Sequence, residues 1–197
     1  MKEIATNIDR LREIALDQHG LVTTEQAMDV GVSKASLSML VKRDRLARMA
    51  HGVYRVPQVP ETQYTRYMLA LLWTGAPEAT LSHETALAAY DVCDVNPSTI
   101  HITVSKNRRI KRNGGDAYTL HYQDLDPEMV SWWEQIPIVT LKTTLEQCVK
   151  LGTPDYLLTQ AIEKSARLGL LVIEEIKTLS EDITKRNERY ARSHHPE

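Results

Sequence analysis

The sequence predicts an α+β protein, with an N-terminal winged helix-turn-helix followed by a mixed α/β C-terminal domain that has a small antiparallel sheet and a helical end. Three observations carry that expectation. Residues 4–56 run in the order helix, glycine, helix, tight turn, helix, hairpin, which is the winged-helix plan. Thr99–Val104 and Ala117–Tyr122 alternate apolar and polar side chains with the period of a strand. From Thr143 onward the apolar residues return to helical spacing.

Taken in order, Ile4, Ile8, Leu11, Ile14 and Ala15 form the stripe of an amphipathic first helix over Ile4–Gln18, closed by His19-Gly20. After the apolar pair Leu21-Val22, Thr23 reads as the N-cap of a helix over Thr24–Val30, with Gln26 at the capping-box position. Gly31 closes that helix, and Ser33 caps a third one from Lys34 to about Asp44. Leu46–Met49 and Val53–Val56 read as short strands around Ala50-His51-Gly52. Pro57 and Pro60 mark a linker. The expected organisation is therefore a winged helix-turn-helix domain over 1–58, a second domain over 59–192 and a frayed tail over 193–197.

In the second domain Gln63–Trp73 is an apolar helix broken by Gly75-Ala76-Pro77, and Ser82 caps a helix over His83–Tyr90. The two alternating runs flank the basic segment Ser105–Arg112 and the turn Asn113-Gly114-Gly115-Asp116, so a long-looped hairpin is the economical reading. Ile136-Pro137-Ile138-Val139 reads as an edge strand, because proline is poorly tolerated in a central one. Helices over Thr143–Lys150, Pro154–Arg167 and Ile173–Tyr190 complete the chain, and no internal repeat is visible.

The 197 residues are 42% hydrophobic and 25% charged, the composition of an ordinary soluble globular protein. No apolar run approaches the length of a membrane span, and Met1–Arg12 lacks the apolar stretch of a signal peptide. A cytoplasmic protein with no membrane partner is expected. Cys93 and Cys148 are too few for a disulfide framework or a cysteine-rich zinc site, and they read as reduced thiols. Net charge is −2, so composition alone does not announce a nucleic-acid partner. The distribution says more. Lys34–Arg55 holds six Lys or Arg against one acid, Asp44, and Ser105–Asn113 holds five against none.

On a helical wheel Leu37, Leu40 and Val41 share one side of the third helix. The other side carries Ala35, Ser38, Met39, Lys42 and Arg43, a face suited to the major groove. Ser38 suits a base edge or phosphate, Ala35 and Met39 suit thymine methyls, and Lys42 and Arg43 suit phosphates or, for Arg, guanine. Ser33 and Lys34 lie at the helix N-terminus, where phosphate contacts are favoured, and Ser36 flanks the face. Arg48, His51 and Arg55 flank the tip of the hairpin. The competing reading is a solvated charged face, and for Met39 alone a peripheral core residue. What favours double-stranded DNA is that the cations fall on the side the apolar stripe does not use and continue into the hairpin.

Gly20–Ala27, Gly31–Leu37 and His51–Pro57 together resemble the N-terminal domain of AbiEi-type antitoxins, regulators of abortive-infection systems. The similarity continues in Leu81–Leu87, Ile100–Val104 and Ile136–Thr140, to about Leu179. The resemblance implies a winged helix that binds inverted repeats in the operon's own promoter and represses it. It also implies a C-terminal domain that opposes a nucleotidyltransferase-like toxin, by direct binding or only functionally. A stand-alone transcriptional regulator and a direct toxin-binding protein are the alternative readings.

Nothing in the sequence predicts catalysis or a cofactor. Ser82-His83-Glu84 lacks the setting of a nucleophile elbow and reads as a helix cap. Cys93 has no local support as a nucleophile for His101 or His121. Those two histidines lie on the polar sides of their strands, but with no third ligand in view no metal site is predicted. Lys106, Arg108, Arg109, Lys111 and Arg112 read equally as a solvated loop or as a second contact to DNA phosphates, RNA or an acidic toxin surface.

Overall fold

The computed structural model describes residues 6–194. Ile4, expected in the first helix, and residues 195–197 of the expected tail lie outside the described residues. The N-terminal unit comprises α1 (Asn7–Leu16), β1 (Leu21–Thr23), α2 (Thr24–Asp29), α3 (Lys34–Lys42), β2 (Ala47–Ala50) and β3 (Val53–Arg55). Thr6 caps α1 in a box closed by Asp9, Thr23 caps α2 with Gln26, and Ser33 caps α3. Each cap satisfies amide donors that a helix start otherwise leaves open. Gly31 takes a φ of 79°, the left-handed turn that separates α2 from α3. Leu21-Val22 is itself a strand, and the antiparallel sheet has the order β1-β3-β2. Leu11, Ala15, Val22, Ala27, Val32, Leu37, Leu46 and Val56 fill the core of this unit.

The second half contains α4 (Thr65–Thr74), β4 (Thr80–Leu81), α5 (His83–Ala89), β5 (Ile100–Val104), β6 (Tyr118–Tyr122), β7 (Val130–Trp133), β8 (Ile136–Val139), α6 (Leu141–Leu151), α7 (Asp155–Arg167) and α8 (Ile173–His194). The helical end packs around Leu87, Leu145, Leu158, Ile162 and Leu179. Helix α8 continues through Ser193 and His194, so the first two positions of the expected tail are helical. Among the described residues, no helix is long and apolar enough to cross a membrane.

The five-stranded sheet has the order β6-β5-β4-β8-β7 and departs from expectation in three ways. First, β5 and β6 run parallel, pairing Ile100 with Tyr118 through Val104 with Tyr122, and are not a hairpin. A parallel pair needs a crossover of about a dozen residues or more, and the basic segment with its glycine turn is long enough to be one. It is pinned to the end of α4, where the Trp73 indole donates to Asn113 O at 3.0 Å and Arg112 donates to Trp73 O at 2.8 Å. Second, β8 lies inside the sheet despite Pro137. Its register with the two-residue β4 is confined to Leu81 and Ile138, a contact too short to ask Pro137 for an amide donor. Third, β7 and β8 form a hairpin through Glu134-Gln135, both at positive φ (49° and 64°), with no glycine to announce it.

The two halves share one core. Leu21 and Val53 of the small sheet are buried together with Met68, Leu71, Leu81, Ile102 and Ile138. The segment expected to be a linker is tied down as well, for Val59 is buried in the N-terminal core. His19 completes the junction. Its Nε2 lies 2.7 Å from Glu134 O and its Nδ1 3.1 Å from Thr62 Oγ1, while its carbonyl accepts from Thr65 Oγ1 at 3.0 Å.

The crossover yields a stability test. A methyl at Gly115 would lie 2.7 Å from Cη2 of the buried Trp73 ring. Gly115→Ala is expected to lower unfolding stability by about 1–3 kcal/mol, the usual cost of overpacking, measured by urea denaturation against wild type.

Candidate functional site

Helix α3 buries Leu37 completely and packs Leu40 and Val41 against the N-terminal core. That orientation leaves Lys34, Ala35, Ser38, Met39, Lys42 and Arg43 exposed, Met39 at 47%. The side expected to face DNA is therefore solvent-facing, and Met39 is not core. Ser33 and Ser36 are committed locally. Ser33 Oγ accepts from Ser36 N at 3.1 Å and lies 3.0 Å from Ser36 Oγ. Arg48 and His51 are exposed on the β2–β3 hairpin. Arg55, expected beside the tip, instead sits at the hairpin base, in register with Ala47 and Leu21. It pairs with Glu61 at 3.7 Å, and its Nε is buried without a partner.

The hairpin tip is held from two sides. Thr24 N donates to Gly52 O at 2.8 Å, and Arg112 donates to His51 O at 3.2 Å. The basic crossover thus ends against the hairpin, but its cations divide. Arg108 forms a two-pronged bond to Glu78, at 2.6 and 2.7 Å, and holds that carboxyl below its usual pKa. Arg112 is spent on the carbonyls of Trp73 and His51. Lys106, Arg109 and Lys111 remain exposed. A cleft separates α3 and the hairpin from the large sheet, with Lys34, Ser38, Arg48 and His51 on one wall and Arg112 and Trp132 on the other.

A second constellation lies on the opposite half of the molecule. Parallel pairing places His101 of β5 and His121 of β6 on one face, with His101 Nδ1 3.0 Å from His121 Nε2. His83, the first residue of α5, stacks on His121 with ring centroids 3.5 Å apart and 15° from parallel. One ligand nitrogen from each of the three lies within 4.8 Å of the others. Ser82 adopts the backbone of an N-cap but makes no capping bond through its side chain. Its hydroxyl lies 3.0 Å from His83 Nδ1 instead. His83 N donates to Gln147 Oε1 at 3.2 Å, and His83 holds a positive φ of 50°, a strained conformation for a non-glycine residue. Burial lowers the pKa of all three rings, with the neighbouring rings adding to the effect for His83 (to about 3) and His121 (to about 4). The thiols play no part. Cys93 and Cys148 are buried among the C-terminal helices, and burial raises both, Cys148 to about 12.

Residues 9–57 match the family described as transcriptional regulator, AbiEi antitoxin. The match bears out the AbiEi resemblance over the N-terminal unit, where α3 and the hairpin lie. No curated protein matches the chain. The fold as a whole is similar to that in the crystal structure of the RV2827C protein from Mycobacterium tuberculosis, with a TM-score of 0.55 and 14% identity over 94% of this chain and 76% of that one. That likeness is one of fold, and it extends well past the AbiEi segment into the second half.

His101 and His121 lie on the polar sides of their strands as the alternation indicates, whereas His83 belongs by sequence only to the Ser82-His83-Glu84 helix cap. The missing signal is tertiary, since α5 reaches the strand pair only through the sheet.

The histidines give the stability a pH dependence of definite sign. A ring with a depressed folded pKa contributes stability that is complete above about 6.5 and drains as pH falls toward the folded value. In EDTA, acidification from pH 6.5 toward 4 is expected to destabilise the protein, because the three buried rings must take up protons that the unfolded chain binds more readily. His83→Asn is expected to flatten that slope, read from urea midpoints across the range. An unchanged slope would sink the assignment.

Proposed function

We propose that the N-terminal unit is a winged helix-turn-helix, with α3 as recognition helix and the β2–β3 hairpin as wing, and that it binds double-stranded DNA. The observation that carries this is the exposed row Ser38, Met39, Lys42 and Arg43, opposite the buried Leu37, inside the segment that matches the AbiEi regulators. Lys34 at the helix start and Arg48 and His51 on the wing extend the surface. A helix in the major groove with cations on its flanks reads base edges while neutralising phosphates. Ser33, Ser36 and Arg55 act by holding the helix and hairpin in place, through the contacts described above.

The biological reading follows from the family. The chain represses its own toxin–antitoxin operon by binding inverted repeats in the promoter, and it counteracts a nucleotidyltransferase-like toxin through its second half. It acts by binding in the cytoplasm and not as an enzyme. The bond from Arg112 to His51 O supports assigning the exposed Lys106, Arg109 and Lys111 a secondary contact with the phosphate backbone.

The full chain is to be titrated against its own upstream DNA and against random duplex, by fluorescence anisotropy over a range of salt. Preferential, salt-sensitive binding is expected. Arg43→Ala is expected to weaken specific binding by about tenfold or more. Lys42→Ala is expected to weaken both duplexes alike and to reduce the salt slope by about one. Equal affinity for the two duplexes would overturn the regulatory reading.

A further inference from the structure

We propose that His83, His101 and His121 form a binding site for one zinc ion that ties the edge strand β6 to β5 and to the start of α5.

Four observations support this. The first is ligand spacing. Two imidazole nitrogens on one tetrahedral zinc, each about 2.0–2.1 Å from the metal, lie roughly 3.3 Å apart. His101 Nδ1 and His121 Nε2 are already 3.0 Å apart, and a nitrogen of His83 is within 4.8 Å of both. Without metal those two nitrogens share a single proton. A tautomer shift that moves the proton to the far nitrogen of its ring frees both lone pairs for the ion.

The second is outer-shell support. A ligating histidine usually donates its other ring N–H to a fixed acceptor. His83 Nδ1 has Ser82 Oγ at 3.0 Å, which leaves Nε2 for the ion. The backbone of His83 is in turn held by Gln147, whose amide donates to Gln123 Oε1 at 2.9 Å. The third is an orphan. Thr103, two residues beyond His101 on the same strand face and in register with His121, is fully buried with a hydroxyl that has no hydrogen-bond partner. Such a group costs about 1–3 kcal/mol when left unsatisfied. Three protein ligands leave zinc a fourth position for water, and that water gives the hydroxyl a partner.

The fourth is strain. His83 begins α5 with a left-handed backbone, φ 50°, and from that position its ring lies against His121 of β6. Because stacked rings hold their lone pairs parallel, the His83 ring turns out of its stack on His121 to bind, and the hydroxyl of the adjacent Ser82 is close enough in the chain to follow Nδ1. Three imidazoles with no carboxylate suit zinc better than the hard cations calcium and magnesium. Among the described residues β6 pairs with β5 alone, so the ion would hold an edge strand that the sheet grips from one side.

The full-length protein, stripped with EDTA and dialysed, is to be titrated with zinc chloride against a chromogenic chelator. Thermal unfolding is to be followed in parallel. His194→Gln/His195→Gln serves as the background, so that any zinc counted is not held by the adjacent histidines near the C-terminus. One equivalent is expected to bind and to raise Tm. His121→Gln and His83→Asn are each expected to weaken binding by more than 100-fold and to abolish the Tm shift, because a lost outer-shell partner alone costs 10–100-fold. Asparagine at 83 tolerates the positive φ, so that variant removes the ligand while keeping the backbone. Ser82→Ala is expected to weaken binding by about tenfold. Absence of stoichiometric zinc in the background protein would overturn the proposal, as would retention of the ion by both histidine variants. Promoter binding is a separate readout, and its success or failure leaves the zinc result standing.

Discussion

Leu21 of β1 and Val53 of β3 turn away from the N-terminal helices and are buried against α4, in a core that continues through Leu81 and Ile102 to Ile138. The inner residues Val22 and Val56 serve the helices on the other side. The small sheet is thus apolar on both faces, and neither half of the chain can withdraw without exposing the other. Each large buried aliphatic contributes about 1.5–3 kcal/mol, and the polar latch at His19 adds orientation to that adhesion. The position of α3 relative to the large sheet follows from this packing, and so does the cleft along its Lys34–Ser38 edge.

That constraint changes what the basic surface is. Two cationic islands far apart in sequence meet because the β5–β6 crossover runs past the end of α4 and delivers Arg112 to the carbonyl of His51. Of the five cations in the second island, two are consumed in building the junction, by Glu78 and by the carbonyls of Trp73 and His51. In the first island Arg55 lies 3.7 Å from the exposed Glu61 carboxylate. A count of charges along the chain overstates the free surface, because a guanidinium with five donors is also the best available clamp for carbonyl oxygens at a crowded corner.

The elements that rest on local chemistry were legible in the sequence. Caps at Thr23 and Ser33, the glycine at 31 and the apolar stripe of α3 are each decided within a few residues, and all appear where the pattern puts them. The strand pairing was not legible. Alternation over Thr99–Val104 and Ala117–Tyr122 establishes two strands and the faces they show, but it is silent about direction, and a parallel pair differs from a hairpin only in where the crossover goes. The anchor that decides it, Trp73 on Asn113, spans forty residues. The β7–β8 hairpin was hidden for a different reason. Its turn uses Glu134 and Gln135 at positive φ, where pattern reading looks for Asn-Gly, and the contact from His19 to Glu134 O helps hold that turn.

Parallel pairing has a further consequence for the polar face of the sheet. It brings Thr103 opposite His121 and His101 opposite Thr119, so the two histidines are offset along the strands and their ring edges meet on a diagonal. The start of α5 then covers that diagonal with His83. Helix α5 also contributes Leu87 to the core of the helical end, and Thr153, at the start of the α7 region, donates to Glu84 at 2.9 Å. The same short helix therefore touches the histidine face at its first residue and the C-terminal helices along its length. A shift of α5 toward or away from β6 would be felt by the packing of α6 and α7, whereas the α3 face lies beyond a closed apolar core. The histidine face and the α3 face thus lie on opposite sides of the shared core, and the packing of the two halves against each other is what sets their relative position.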